Sequence, residues 1–176
     1  MKKIKYQKDI KLFVNNSILD ELKQCVSNAY PHEACGIILG DINQIELEQE
    51  DFQYHYIARK FACIPSNRES TVAFLIDNIV ELDHIIRDNL KTYQEKSNQD
   101  IRLISIFHSH PAGSFPSSVD YKQMKFLDDF SGSEMDFVSK AFKNLIWTIM
   151  DASTSHMNAF IYFEKKLQQV ELEIRS

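Results

Sequence analysis

Residues 107–120 read FHSHPAGSFPSSVD. Two histidines one residue apart lead into a proline, a small-residue loop and a Ser-x-x-Asp. Just upstream, IRLISIFHSH (101–110) has the composition of a strand. Alternation along a strand places Ile104, Ile106, His108 and His110 on one face. Downstream, SSVDYKQMKFLDDF (117–130) reads as a helix, with Phe126, Leu127 and Phe130 as core contacts. The stretch therefore joins a strand, a turn and a helix start.

Two readings of it are compatible. Locally, Ser117 and Asp120 have the spacing of a capping box, in which a serine caps the helix and an acid three residues on reaches back. Chemically, His-x-His on a strand aims two imidazoles the same way, and the proline-bounded turn can return Asp120 to them. Two histidines and a carboxylate form a borderline-hard donor set that suits Zn²⁺, which in catalytic sites takes three protein ligands. Ser117 can cap the helix and still face such a site.

The rest of the chain alternates helix-like and strand-like segments. Residues 2–14 suit a strand or arm. NSILDELKQCVSNAY follows with Ile18, Leu19, Leu22, Cys25, Val26, Ala29 and Tyr30 at helical spacing, capped by Asn16 or Ser17 and stopped by Pro31. EACGIILG (33–40) suits a buried strand ending at Gly40, and the residues to Ile64 suit one or two more strands with an irregular middle. From about residue 72 the period becomes helical: Leu75, Ile76, Ile79, Val80, Leu82, Ile86, Leu90 and Tyr93 form one stripe. NLIWTIMDA, MNAFIYFE and KLQQVELEI read as three closing strands, with a turn near Glu164–Lys166. This order predicts an α+β domain with a central sheet.

Bulk properties narrow the function. The 176 residues fit a single domain, 1–176, and are 44% hydrophobic and 26% charged, as in ordinary globular proteins. A net charge of −5 without basic clusters gives no footprint for nucleic acid. The basic start MKKIKYQK has no apolar run behind it, so no secretory signal is expected. No apolar run is long enough for a membrane span. Cys25, Cys35 and Cys63 form no CxxC pair and three cannot pair completely, so a reducing, cytoplasmic setting is expected. Cys25 lies on the helical stripe and reads as core packing.

A hydrolase also needs a proton carrier, and Glu33 is the candidate, because a carboxylate is costly to bury at the head of an apolar strand without a purpose. Cys35 sits in that strand with no basic neighbour to activate it, which argues against a thiol nucleophile. His32, His55, His84 and His156 receive no role, and neither do Ser109 and Ser118.

Together, PHEACGIILG (31–40) and HSHPAGSFPSSVD (108–120) resemble the JAMM (JAB/MPN+) zinc metalloprotease family, with its P-x-E-x-x-G-x-L-x-G strand and HxHPx₅₋₇SxxD signature. NRESTVAFLID (67–77) is similar to the segment before that family's long helix. The likeness spans about residues 15–165. It implies a JAB/MPN-type mixed central β-sheet flanked by helices (α/β/α-like) with a cytidine-deaminase-like zinc site. One Zn²⁺ would be held by His108, His110 and Asp120, with Glu33 as general acid/base and Ser117 supporting the oxyanion.

The substrate implied is an isopeptide or peptide bond after the glycine-ended tail of a ubiquitin-like protein. The compact chain is similar to prokaryotic stand-alone members, which act beside E1- and E2-like proteins, including those of CBASS antiphage operons. A sulfur-carrier C-terminus, a cell-wall peptide, or a non-catalytic MPN scaffold are the alternatives. An extended tail is expected to add a strand beside the site, with residues near 55–70 and 131–144 facing the substrate.

Overall fold

The computed structural model describes residues 9–48, 51–65, 78–97, 101–130 and 142–176. Strand β1 (Ile10–Asn15) runs directly into helix α1 (Asn16–Ala29). The cap is Asn15, one residue earlier than expected: its backbone is still extended, and its Oδ1 accepts from the Ile18 amide at 2.8 Å. Ile18, Leu22, Cys25 and Val26 form the buried stripe of α1.

Strand β2 (Cys35–Glu46) does not stop at Gly40 but continues for six more residues and pairs throughout with β3 (Phe52–Ile64). Gly40 is required by close approach rather than by a turn. A Cβ there would lie 2.0 Å from the Ile57 carbonyl oxygen. Helix α2 (Ile79–Ser97) buries Leu82, Ile86 and Leu90, while Val80, expected on the same stripe, is exposed. The expected positions Leu75 and Ile76 lie outside the described residues.

Strand β4 (Arg102–His110), helix α3 (Ser118–Phe130) and strands β5 (Ile146–Asp151), β6 (Met157–Phe163) and β7 (Lys166–Arg175) complete the fold. The β6–β7 turn falls at Glu164 and Lys165, both with positive φ, as expected. Among the described residues the strands close into one mixed barrel in the order β1-β3-β2-β4-β5-β6-β7, with β1 parallel to both β3 and β7. The expected mixed sheet is therefore present, and its closure is the addition.

Two cores share this sheet. One joins α1 to Ile38, Ile104, Phe107, Ile146 and Met150. The other lies across β2, β4 and β5 and joins α2 and α3 to Ile37, Leu39, Leu103, Ile106, Trp147 and Ile149. Ile104 and Ile106 thus face opposite ways, contrary to simple alternation. The β2–β4 register slips by one residue, from Ile38↔Ser105 to Leu39↔Leu103, so Ile104 is an extra residue on β4. In α3, Met124 and Leu127 are buried, whereas Phe126 is exposed rather than in the core.

Cys25 and Cys63 form a disulfide, with Cα atoms 5.8 Å apart, tying α1 to the end of β3. The expectation of unpaired cysteines, with Cys25 as packing alone, is corrected. The passage of α1 over the end of β3 brings together two residues 38 positions apart. Cys35 is the free cysteine and is buried. No helix among the described residues is long and apolar enough to cross a membrane.

Candidate metal centre

His108 and His110 leave the end of β4 on the face that also carries Ile106, below the bulge at Ile104. Pro111, which has no amide to donate, ends the strand. The following loop is tied down at two points. Gly113 adopts φ +85, where an L side chain would be strained, and its backbone bonds to Asp151. Ser114 is buried and its Oγ lies 2.9 Å from His156 Nδ1, while Asn158 Nδ2 donates to the same Oγ at 2.9 Å. Gln169 in turn donates to Asn158 Oδ1 at 3.1 Å.

This returns the chain to the site at Ser117. The capping box is fully formed: the Asp120 amide donates to Ser117 Oγ at 3.2 Å, and the Ser117 amide donates to Asp120 Oδ2 at 2.6 Å. The same carboxylate meets both imidazoles. His108 Nε2 is 3.2 Å from Oδ1, His110 Nε2 is 3.2 Å from Oδ2, and the two Nε2 atoms are 3.1 Å apart. His108 and Asp120 are buried and His110 is nearly so. The local cap and the three-residue cluster are thus one structure.

These atoms fit a zinc ion. Donors placed tetrahedrally at 2.0–2.1 Å from Zn²⁺ lie roughly 3.3 Å from one another; here the two Nε2 atoms are 3.1 Å apart and each lies 3.2 Å from one oxygen of the Asp120 carboxylate. Burial by itself would raise the Asp120 pKa. Hydrogen bonds from His108, His110 and Ser117 outweigh it and hold the carboxyl well below the usual range. Hydrogen bonding to Asp120 raises the pKa of His110 against its partial burial, and the charge of Glu33 contributes to the same shift.

Glu33 sits just before β2 rather than within it, and is half-buried. The β2–β4 register pairs Cys35 with His108 and Gly36 with Phe107. One step outward, Ala34 and Ser109 are bonded: the Ser109 amide donates to the Ala34 carbonyl at 3.0 Å, and the Ala34 amide donates to Ser109 Oγ at 2.9 Å. A further step sets Glu33 opposite His110. Burial pushes the neighbouring Cys35 thiol up to about 12, the Gly36 amide opposes that shift, and Glu33 reinforces it, so a thiolate nucleophile is ruled out.

Sequence reasoning gave no duty to Ser109, Ser114, His156 or Asn158. Ser109 offered a signal only in lying between the two histidines. The other three meet across 42 to 44 positions, without any local pattern.

The family of prokaryotic homologs of the JAB domain matches residues 15–156. The chain belongs to the prokaryotic JAB-domain family. Among solved structures it is similar to a Desulfitobacterium hafniense protein, with 16% identity, a TM-score of 0.60, and coverage of 95% of this chain and 93% of that one. It is also similar to a JAB1/MPN domain protein of Archaeoglobus fulgidus, with 13% identity, a TM-score of 0.47, and coverage of 94% and 99%. No curated protein matches the chain significantly.

Proposed function

We propose that the protein is a zinc-dependent peptidase or isopeptidase that hydrolyses the bond after the C-terminal glycine of a ubiquitin-like modifier. The observation that carries this reading is the convergence of His108, His110 and Asp120 with Glu33 set across from His110. His108, His110 and Asp120 would hold one zinc ion per chain, which supplies a Lewis acid and acidifies a water molecule.

The remaining work falls to side chains of this chain. Glu33 takes a proton from the attacking water as its oxygen adds to the carbonyl carbon. It returns that proton to the departing amine nitrogen as the C–N bond breaks, so it ends the cycle as it began. Ser117 Oγ already accepts a hydrogen bond from the Asp120 amide. Its own proton, which bonds the Asp120 carboxylate at rest, turns to the oxyanion that develops on the carbonyl.

The substrate path differs from a strand added to β4. That strand is flanked by β2 and β5, which leaves it no open edge. Among the described residues the pairing of β3 with β1 ends at Ile57, so Ala58–Ile64 offers an edge there that runs toward Cys35 and His108. A glycine-ended tail would lie along it. Of the segments expected to face substrate, 66–70 and 131–141 lie outside the described residues.

A bacterial conjugation system with E1- and E2-like proteins, of the antiphage kind, is the setting that goes with such a substrate, and it is cytoplasmic. The test is intact-mass analysis of a ubiquitin-like protein fused through its terminal glycine to a reporter. Wild type should cleave after that glycine, while Glu33→Ala and chelator-treated wild type should not. Zinc-loaded wild type that leaves this fusion intact but trims a sulfur-carrier C-terminus or a cell-wall peptide would replace the substrate. Inertness toward all three would favour a scaffold.

A further inference from the structure

We infer that Ser109, the residue between the two histidines, is a positioning residue that holds Glu33 at the site. The inference rests on the peptidase reading and adds a residue to its machinery. Ser109 is buried and projects from β4 on the side opposite His108 and His110. It therefore touches neither metal nor substrate.

Its hydroxyl oxygen accepts from the Ala34 amide at 2.9 Å, and its own amide donates to the Ala34 carbonyl at 3.0 Å. Both polar groups of Ala34 are thereby bound to one residue. Ala34 is itself buried and precedes the first residue of β2. A side chain, not the backbone of β4, satisfies its amide. That contact extends the β2–β4 register one residue beyond the strand and fixes the peptide immediately following Glu33.

The consequence follows from how the chain is anchored on the other side. Upstream of Glu33 lie exposed Pro31 and His32, and there the chain is pinned at the His32 amide, which donates to the Ala29 carbonyl at 2.9 Å; Ser109 supplies the pin on the downstream side. Without the Ser109 hydroxyl, the Ala34 amide is buried and unpaired, a condition that proteins relieve by local movement. The residue moved is the proton carrier, and a displacement of about 1 Å in a catalytic group can cost on the order of 100-fold in rate. His108, held by β2 and β5 on either side of β4, and His110, paired with Asp151 of β5, stay in place.

The experiment compares wild type, Ser109→Ala, Ser109→Thr, Glu33→Ala and the Ser109→Ala/Glu33→Ala double variant, all zinc-loaded. Expected for Ser109→Ala are one zinc per chain, a KM within about threefold of wild type and a kcat lowered roughly 10- to 100-fold. Ser109→Thr, which keeps the hydroxyl, should recover most of it. Glu33→Ala retains at most a residual turnover, read over long incubation at high enzyme concentration; on that background Ser109→Ala should cost nothing further, because the residue it positions is gone.

Amide exchange supplies a readout independent of turnover. Ala34 should lose protection at least about tenfold in Ser109→Ala and regain it in Ser109→Thr. An Ala34 amide indifferent to Ser109→Ala overturns the clamp. A Ser109→Ala loss that persists in full on the Glu33→Ala background overturns the route through Glu33. Wild type inert toward every substrate, with Ala34 protection still dependent on Ser109, overturns the peptidase reading and the catalytic role together while leaving a structural clamp.

Discussion

Ser117 and Asp120 exchange two hydrogen bonds across the first turn of α3, and the Asp120 carboxylate so fixed is the one that meets His108 and His110. Helix capping and ligand placement are therefore a single act. The two halves can be separated in part by mutation, because the Ser117 backbone amide holds the Asp120 carboxylate whatever side chain the residue carries. Ser117→Ala should keep one equivalent of zinc. It should lose about 1 kcal/mol of stability from the cap and roughly 100- to 1,000-fold in kcat from the missing oxyanion donor. Metal analysis, thermal unfolding and turnover check the three effects, and undiminished kcat would remove Ser117 from the chemistry.

Removal of a donor is a different matter. Three donor residues whose ligand atoms lie within 4.8 Å of one another leave two when His108 or Asp120 is replaced by alanine. Two donors do not hold zinc against a chelator in a site built for three. His108→Ala and Asp120→Ala should each bind less than a tenth of an equivalent after dialysis against a competing chelator, read by elemental analysis. Full retention by either variant would exclude that residue from the ligand set. Loss of the ion should also lower thermal stability of the wild type, since a ligand bound only by the folded state stabilises it.

How much of this was legible in the sequence depends on distance along the chain. His108, His110, Ser117 and Asp120 lie within thirteen residues, so strand alternation and a capping box suffice to bring them together. Glu33 could not be placed that way. Its position is set by the antiparallel register of β2 against β4, and the one-residue slip at Ile104 shows that such a register cannot be counted from composition. The same limit hid the Cys25–Cys63 bridge and the closure of the sheet, in which β1 pairs with β7 some 160 residues later. Gly40 misled for another reason. Its signal was read as a strand end, whereas the backbone of Ile57 demands the absence of a side chain there.

That reading of Gly40 has a measurable consequence. Alanine at this position would force its Cβ into the Ile57 carbonyl and the Ile104 side chain. Backbone cannot give way as a flexible side chain can, and overpacking of this kind costs about 1–3 kcal/mol or more. Gly40→Ala should unfold at lower denaturant concentration than wild type. Gly113→Ala is also unfavourable, through its positive φ rather than through contact, since nothing lies within 4 Å of a Cβ there. A wild-type midpoint for Gly40→Ala would mean that β3 can shift at Ile57.

Asn158 offers a test of whether the loop, and not only its ends, builds the centre. Its side chain joins Gln169 on β7 to Ser114 in the loop, and Ser114 also meets His156. Of these groups, Ser114 belongs to the loop that joins the strand supplying the histidines to the helix supplying the aspartate, and the others tie that loop to β6 and β7. Asn158→Ala would leave the buried Ser114 Oγ short of one partner, a loss of about 1–3 kcal/mol, while the exposed Gln169 can turn to water. Because the loop determines where Asp120 returns, zinc affinity should fall by about 10- to 100-fold, the range found for supports behind metal ligands. Competition with a chelator of known affinity measures it, alongside denaturant unfolding of the metal-free protein. Weakened zinc binding beyond what unfolding explains would assign the network to the metal centre, whereas an equal fall in stability with unchanged affinity would confine it to the fold.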